Sequence, residues 1–212
     1  LEFDVIVYGD VDPSRLGPDA AKNIETFVTE FGGGILFISG QTHNPRSLAG
    51  TPLAGLLPVV PDPSPDLYEN DKIYSQMFGY QLTPDGRSSP ITNFKEFRGD
   101  LDKNQEHWED RAPPRDGLAG VRWFVRVKKL KAGASPLVEV AGVPGESARP
   151  PLFVTQHAGR GRVFWSATDE TWLWRYLAGD YPWFYPFWQQ AIYWTRDGKL
   201  LGARRYRLGV DK

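Results

Sequence analysis

Residues 3 to 41 constrain the fold more than any other stretch. Phe3 to Tyr8 is a short β-branched run that stops at Gly9-Asp10, the pattern of a buried strand. Gly17-Pro18-Asp19 supplies a turn and a helix start. Ile24, Phe27, Val28 and Phe31 then fall at i, i+3, i+4 and i+7, one apolar stripe on a helix of about three turns. Gly32-Gly33-Gly34 ends that helix, since glycine tolerates the left-handed cap. Ile35 to Ile38 follows as a second buried strand and stops at Ser39-Gly40-Gln41. Strand, helix and strand in so short a span predict a parallel pair joined by a crossover helix. Both strands then end on one sheet edge. Asp10 and Ser39 come out together there, where α/β folds place ligands.

Downstream the pattern weakens and then returns. Residues 51 to 60 form a short apolar segment broken by proline. Residues 61 to 117 are rich in Pro, Asp, Asn, Gly and Ser, with turn signals at Thr83-Pro84-Asp85-Gly86 and at Ala112 to Gly117. They read as a long irregular excursion holding a short helix or two. Strands are expected at Val121 to Val127 and Leu137 to Ala141. Leu152 to Gln156 and Arg162 to Thr168 then flank a five-residue loop at 157–161, which reads as an antiparallel hairpin. Pro186 suits the first turn of a helix whose stripe is Phe184, Phe187, Trp188, Ala191, Ile192 and Thr195, with Asp197-Gly198 as its end. Tyr206, Leu208 and Val210 alternate with polar or small residues as a last strand. The domain is expected to span 1–198, with 199–212 a strand-like tail leading toward a further domain. Because the chain opens on Leu1-Glu2-Phe3-Asp4, already strand-like, it reads as a piece of a longer protein.

Composition removes several function classes. The 212 residues contain no cysteine, which excludes a disulfide framework, a thiolate metal site and a cysteine nucleophile. A formal net charge of -1 gives no global field for nucleic acid or an anionic membrane. The basic tail from Arg196 to Lys212 has only Tyr206 interleaved, short of a nucleic-acid module. No apolar run approaches the roughly 18 to 20 residues of a membrane helix, so no direct membrane insertion by this segment is expected. At 41% hydrophobic and 24% charged residues, the chain has the composition of a globular domain.

Four groups could carry chemistry. Ser39 lies at a strand-to-loop transition, as a nucleophile elbow would, but Phe37-Ile38-Ser39-Gly40-Gln41 lacks both glycines of the G-x-S-x-G motif. Its only plausible base is His43. His107 lies in the excursion, and His157 sits at the hairpin tip, nearly 20 Å back along the strand at about 3.3 Å per residue. Asp169-Glu170 ends the last core strand on the same edge. Paired carboxylates can do acid/base work, yet a capping role or an ion pair with Arg175 weighs more heavily. No histidine or third carboxylate accompanies them at metal-binding spacing, so neither a metal nor another cofactor is expected. Six of the eight tryptophans fall between Trp165 and Trp194. Trp165, Trp188 and Trp194 fit packing positions. Trp172, Trp174 and Trp183 divide evenly between packing and the floor of a sugar or peptide groove.

These residues together resemble a class I glutamine amidotransferase-like domain. The Gly9-Asp10 strand end, Gly32-Gly33-Gly34 and ILFISGQ are similar to its first half. GRGRVF, ATDETWLWR and FWQQAIYW are similar to its second. The version most resembled occurs in large bacterial proteins, often membrane-anchored and joined to von Willebrand A-type modules. The resemblance covers about residues 3 to 60 and 118 to 196. It implies an α/β, flavodoxin-like, mostly parallel sheet with flanking helices and an antiparallel hairpin. In that family the elbow delivers a cysteine and a later strand a histidine and a glutamate. Here Ser39 matches the cysteine position, Glu170 keeps the glutamate, and the histidine is absent. The expectation is therefore a non-catalytic binding or assembly module of a larger, envelope-associated protein. Its partners would be other domains of that protein or a protein partner. Its ligand would lie over Asp10, Ser39, Gln41, His43, Asp169, Glu170 and Trp172. Two alternatives stay open: a serine-dependent hydrolase using Ser39 and His43, and a carbohydrate-binding domain using exposed tryptophans.

Overall fold

Strand β1 (Val5–Tyr8), helix α1 (Ala20–Thr29) and strand β2 (Gly34–Ile38) form the parallel crossover unit expected from their spacing, with Val5 opposite Gly34 and Tyr8 opposite Phe37. The computed structural model describes residues 3–64, 67–69, 77–97, 99–109, 117–141, 143, 148–177 and 183–203. After β2 come α2 (Leu53–Leu56), β3 (Val59–Pro61), β4 (Leu67–Glu69), β5 (Gly79–Leu82), α3 (Pro84–Ser88) and α4 (Leu101–Glu109). The chain continues through β6 (Trp123–Val125), β7 (Val127–Leu130), β8 (Ala134–Ala141), β9 (Pro151–Ala158), β10 (Gly161–Ser166), α5 (Leu173–Leu177) and α6 (Phe184–Ala203).

The main sheet is six-stranded, in the order β1-β2-β10-β9-β8-β5. Strands β1, β2 and β10 are mutually parallel neighbours, whereas β10-β9, β9-β8 and β8-β5 are antiparallel. Following those directions, β1, β2, β10 and β8 point one way and β9 and β5 the other. The fold is thus α/β with a mixed sheet in which four of six strands share a direction.

Pleating assigns each helix to a face. A Cβ on Gly161 would meet Val28 of α1, so α1 lies on the face of Gly161, Val163 and Trp165. Phe164 points the other way and packs on Phe187 of α6 at a ring separation of 6.0 Å. Both faces are covered, which is why Ile35, Leu36, Phe37, Val163, Phe164 and Trp165 are all fully buried and read as a continuous apolar run. The α6 face continues as an aromatic cluster of Phe153, Phe164, Phe187, Trp108, Trp174 and Tyr80. The indole of Trp174 donates to Tyr80 Oη (3.0 Å) and to the Ala119 carbonyl (2.9 Å), so its one polar group is satisfied within the core.

The structure corrects several sequence expectations. The 61–117 stretch is not an excursion outside the sheet: β5 forms the sheet's far edge, paired with β8. The Thr83–Gly86 signal is a helix start, with Thr83 Oγ1 accepting from the Gly86 amide as the cap of α3. The Ala112–Asp116 turn signal lies outside the described residues. The 121–127 run divides at Arg126 into β6 and β7, which pair with β4 and β3 in two small sheets. The β9–β10 hairpin closes on Gly159-Arg160 alone, because His157 and Ala158 pair with Arg162 and Gly161. Helix α6 runs through Asp197-Gly198 to Ala203. Gly198 is a packing residue there, since a Cβ would sit 3.2 Å from Arg162 Cγ and 3.3 Å from the Gly32 carbonyl. The alternating stretch at 205–210 lies outside the described residues. Among those described, no helix is long and apolar enough to cross a membrane.

Candidate functional site

The C-terminal ends of β1, β2 and β10 meet at one edge. The Ser39 amide donates to the Ser166 carbonyl (3.0 Å), tying the residue after β2 to the end of β10. Asp10, two residues past β1, reaches into the loop that follows. Its carboxylate accepts from the backbone amides of Thr42 (3.0 Å), His43 (2.6 Å) and Asn44 (2.7 Å). Gly40 has no side chain to obstruct this: a Cβ there would lie 2.2 Å from Asp10 Cγ. Burial pushes the Asp10 carboxyl up, but the amides of Asn44, His43 and Thr42 outweigh it and hold it below the usual carboxylate range. Asn44 closes the loop from inside, donating its side-chain amide to the Ile38 carbonyl (2.9 Å).

Ser39 is fully buried, and its hydroxyl has no hydrogen-bond partner. His43 therefore does not engage it, although it lies in the same loop. The Ser39–His43 pair that a hydrolase needs is not formed in this structure. His107 is packed among Phe94, Phe97 and Trp183. His157 is on β9 beside Trp194.

Glu170 is buried to 1% exposure. It does not pair with Arg175, as its neighbourhood in sequence suggested. It binds Arg122, accepting from Nε at 2.6 Å, and also accepts from the backbone amides of Arg122 and Trp123. The 3-10 turn at Glu170–Trp172 aims this carboxylate inward at the start of β6, while Arg175 faces Tyr176, Phe184 and Tyr185. Asp169 stays exposed at the surface. Its pKa is raised, first by partial desolvation and then by the negative charges of Glu170 and Asp10. Gln41 is exposed, and its carbonyl accepts from Arg46 (2.8 Å). Trp172 is 41% exposed, with the Arg122 guanidinium 5.5 Å from its ring centroid.

The seven sequence-predicted residues thus gather on one edge, in different conditions. Asp10 and Glu170 are fully engaged by their own chain, Ser39 is sealed, and Gln41, Asp169 and Trp172 reach solvent. The tryptophans also separate. Trp165 and Trp174 are core, Trp188 donates to Thr171 Oγ1 (3.0 Å), and Trp183 stacks on Phe97. Only Trp172 of the three undecided residues is exposed. Sequence reasoning missed Asn44 and Arg122. Arg122 gives no local signal, because its partner lies 48 residues away. Among the described residues no group of three His, Asp or Glu side chains is placed to hold a metal ion.

No protein-family model matches the sequence, and no curated protein matches it. Solved structures match the fold. The cytoplasmic protein STM3548 from Salmonella typhimurium is similar with a TM-score of 0.57 at 18% identity, over 91% of this chain and 72% of that one. The cytoplasmic protein STM1381 from Salmonella typhimurium LT2 is similar with a TM-score of 0.56 at 18% identity, with the same shares covered. At that identity the likeness concerns the fold alone.

Proposed function

We propose that this chain is a non-catalytic, amidotransferase-like module on a flavodoxin-like sheet, serving binding or assembly within a larger, envelope-associated bacterial protein. The observation that carries this reading is the state of the elbow. Ser39 stands where the resembled family presents its cysteine, and its hydroxyl is buried without a base. Acyl transfer needs a nucleophile activated by a neighbouring base and exposed to substrate. Neither condition is met here. The glutamate position supports the same reading, since Glu170 is held by Arg122 and two amides and has no histidine to orient. What the edge retains is a solvent-facing rim of Gln41, Asp169 and Trp172 around a loop hydrogen-bonded to Asp10, suited to contact rather than turnover.

The test is incubation of the purified protein with glutamine and measurement of ammonia. No release above that of a Ser39→Ala variant is expected. Release by the wild type that the variant lacks overturns the reading.

A further inference from the structure

Beyond the rim, the exposed surface continues as an aromatic strip. Trp172 and Tyr176 meet edge to face with ring centroids 5.7 Å apart. The Arg175 guanidinium lies 5.9, 5.6 and 5.2 Å from the centroids of Tyr176, Phe184 and Tyr185. Trp172, Tyr176 and Tyr185 are 41%, 66% and 54% exposed. The strip is therefore continuous from Trp172 to Tyr185, with a cation at its centre.

We propose that this strip is a docking site for an acidic segment of a partner polypeptide, with Arg175 as the receptor for its carboxylate. The proposal rests on the binding-module reading above and names the partner's chemistry. Two independent observations carry it. The first is composition: exposed Trp, Tyr and Arg in contact are the residue types that dominate binding energy at protein interfaces. The second is an unmet donor. Among the described residues no carboxylate lies within ion-pair distance of Arg175; its Nε is buried and out of a partner's reach, so the receptor is the Nη end of the guanidinium. Rings attract a cation through their faces but leave the in-plane Nη1 and Nη2 edge unsatisfied. That planar edge matches a carboxylate with two parallel hydrogen bonds. Arg122, over Trp172, differs because Glu170 already holds it.

A polypeptide suits the strip better than an acidic glycan. Sugars stack on open ring faces, and here a guanidinium takes one face of each of Trp172, Tyr176 and Tyr185, which reduces the face left for stacking. Ring edges and tyrosine hydroxyls remain, which suit main-chain and side-chain groups.

The experiment titrates the whole chain against labelled poly-L-glutamate and follows fluorescence anisotropy. Wild type binds. Arg175→Ala weakens binding about tenfold or more, the effect of losing hydrogen bonds to a charged group. Arg175→Lys keeps a cation among the rings, and so the fold, but recovers only part of the affinity, because an ammonium lacks the planar fork. Arg196→Ala, which removes a half-buried cation over Tyr193 that Asp197 already pairs, outside the strip, binds as wild type. Absence of wild-type binding overturns the proposal, as does an Arg175→Lys variant equal to wild type. Tighter binding of polygalacturonate through Arg175 also overturns it, in favour of a glycan. Self-association abolished by Arg175→Ala overturns it in favour of a second copy. None of these outcomes bears on whether glutamine is hydrolysed, so the elbow reading stands or falls separately.

Discussion

The elbow and the aromatic strip are neighbours on one edge, and they treat charge in opposite ways. At the elbow, Asp10 is held by three amides and Glu170 by Arg122 and two amides. On the strip, Arg175 has three rings and, among the described residues, no counter-charge. Groups that look catalytic in the sequence hold loops together in the fold. The strip's cation, Arg175, drew attention in the sequence only as a possible partner for Asp169 or Glu170. Function is better sought where a charge that reaches the surface lacks a counter-charge in its own chain.

Substitutions at the elbow separate this picture from one in which those carboxylates are free to react. Glu170→Ala has the largest expected effect. It strands Arg122 and two amides and should cost about 3–5 kcal/mol in denaturant unfolding. A loss below about 1 kcal/mol would mean the pair is not structural. Asp10→Ala should cost about 1–2 kcal/mol, reduced by the partial exposure of the site. Its pH dependence has a definite sign. Because the folded pKa is lowered, the stabilisation is complete above the ordinary aspartate value of about 3.8. It is lost as pH falls through the folded value. The variant should therefore show a flatter acid limb than wild type in pH-dependent melts.

Ser39→Ala should act in the other direction. Removing a buried, unpartnered hydroxyl leaves stability unchanged or raises it by up to about 1 kcal/mol, measured in the same unfolding assay. A clear loss would reveal a hydrogen bond that matters. Asp169→Asn has the smallest effect. A raised pKa means the ionised carboxylate is disfavoured in the folded state above the ordinary aspartate value of about 3.8. The substitution should thus add about 0.5 kcal/mol or less at neutral pH after solvent screening, and nothing at low pH. Opposite pH trends for Asp10 and Asp169 sharpen the contrast between an engaged carboxylate and a crowded one.

The β1–β2 unit is legible because its signals are local. The helix stripe Ile24-Phe27-Val28-Phe31 and the strands on either side fall within residues 3–41, and they predict those elements and the edge that gathers Asp10 and Ser39, whereas β10 joins β2 from far along the chain. The antiparallel half depends on distant partners. The short run Gly79–Leu82 becomes a strand only because Val138 to Ala141 lies beside it. Arg122 becomes part of the edge only because Glu170 turns inward. Trp174 read as ambiguous because Tyr80 and Ala119, which satisfy its indole, are remote in sequence. Asp197-Gly198 read as a helix end because local rules treat glycine as a terminator. In the fold, that glycine permits α6 to cross close to Gly32 and Arg162.

The most direct measurement compares wild type with Ser39→Cys in glutamine, scoring ammonia and any covalent thioester by intact mass. The substitution restores the nucleophile the resembled family uses without supplying a base or opening the sealed site. Neither protein is expected to release ammonia or form an adduct. Turnover by Ser39→Cys would show that the edge keeps a working base and substrate access, and would contradict a non-catalytic elbow.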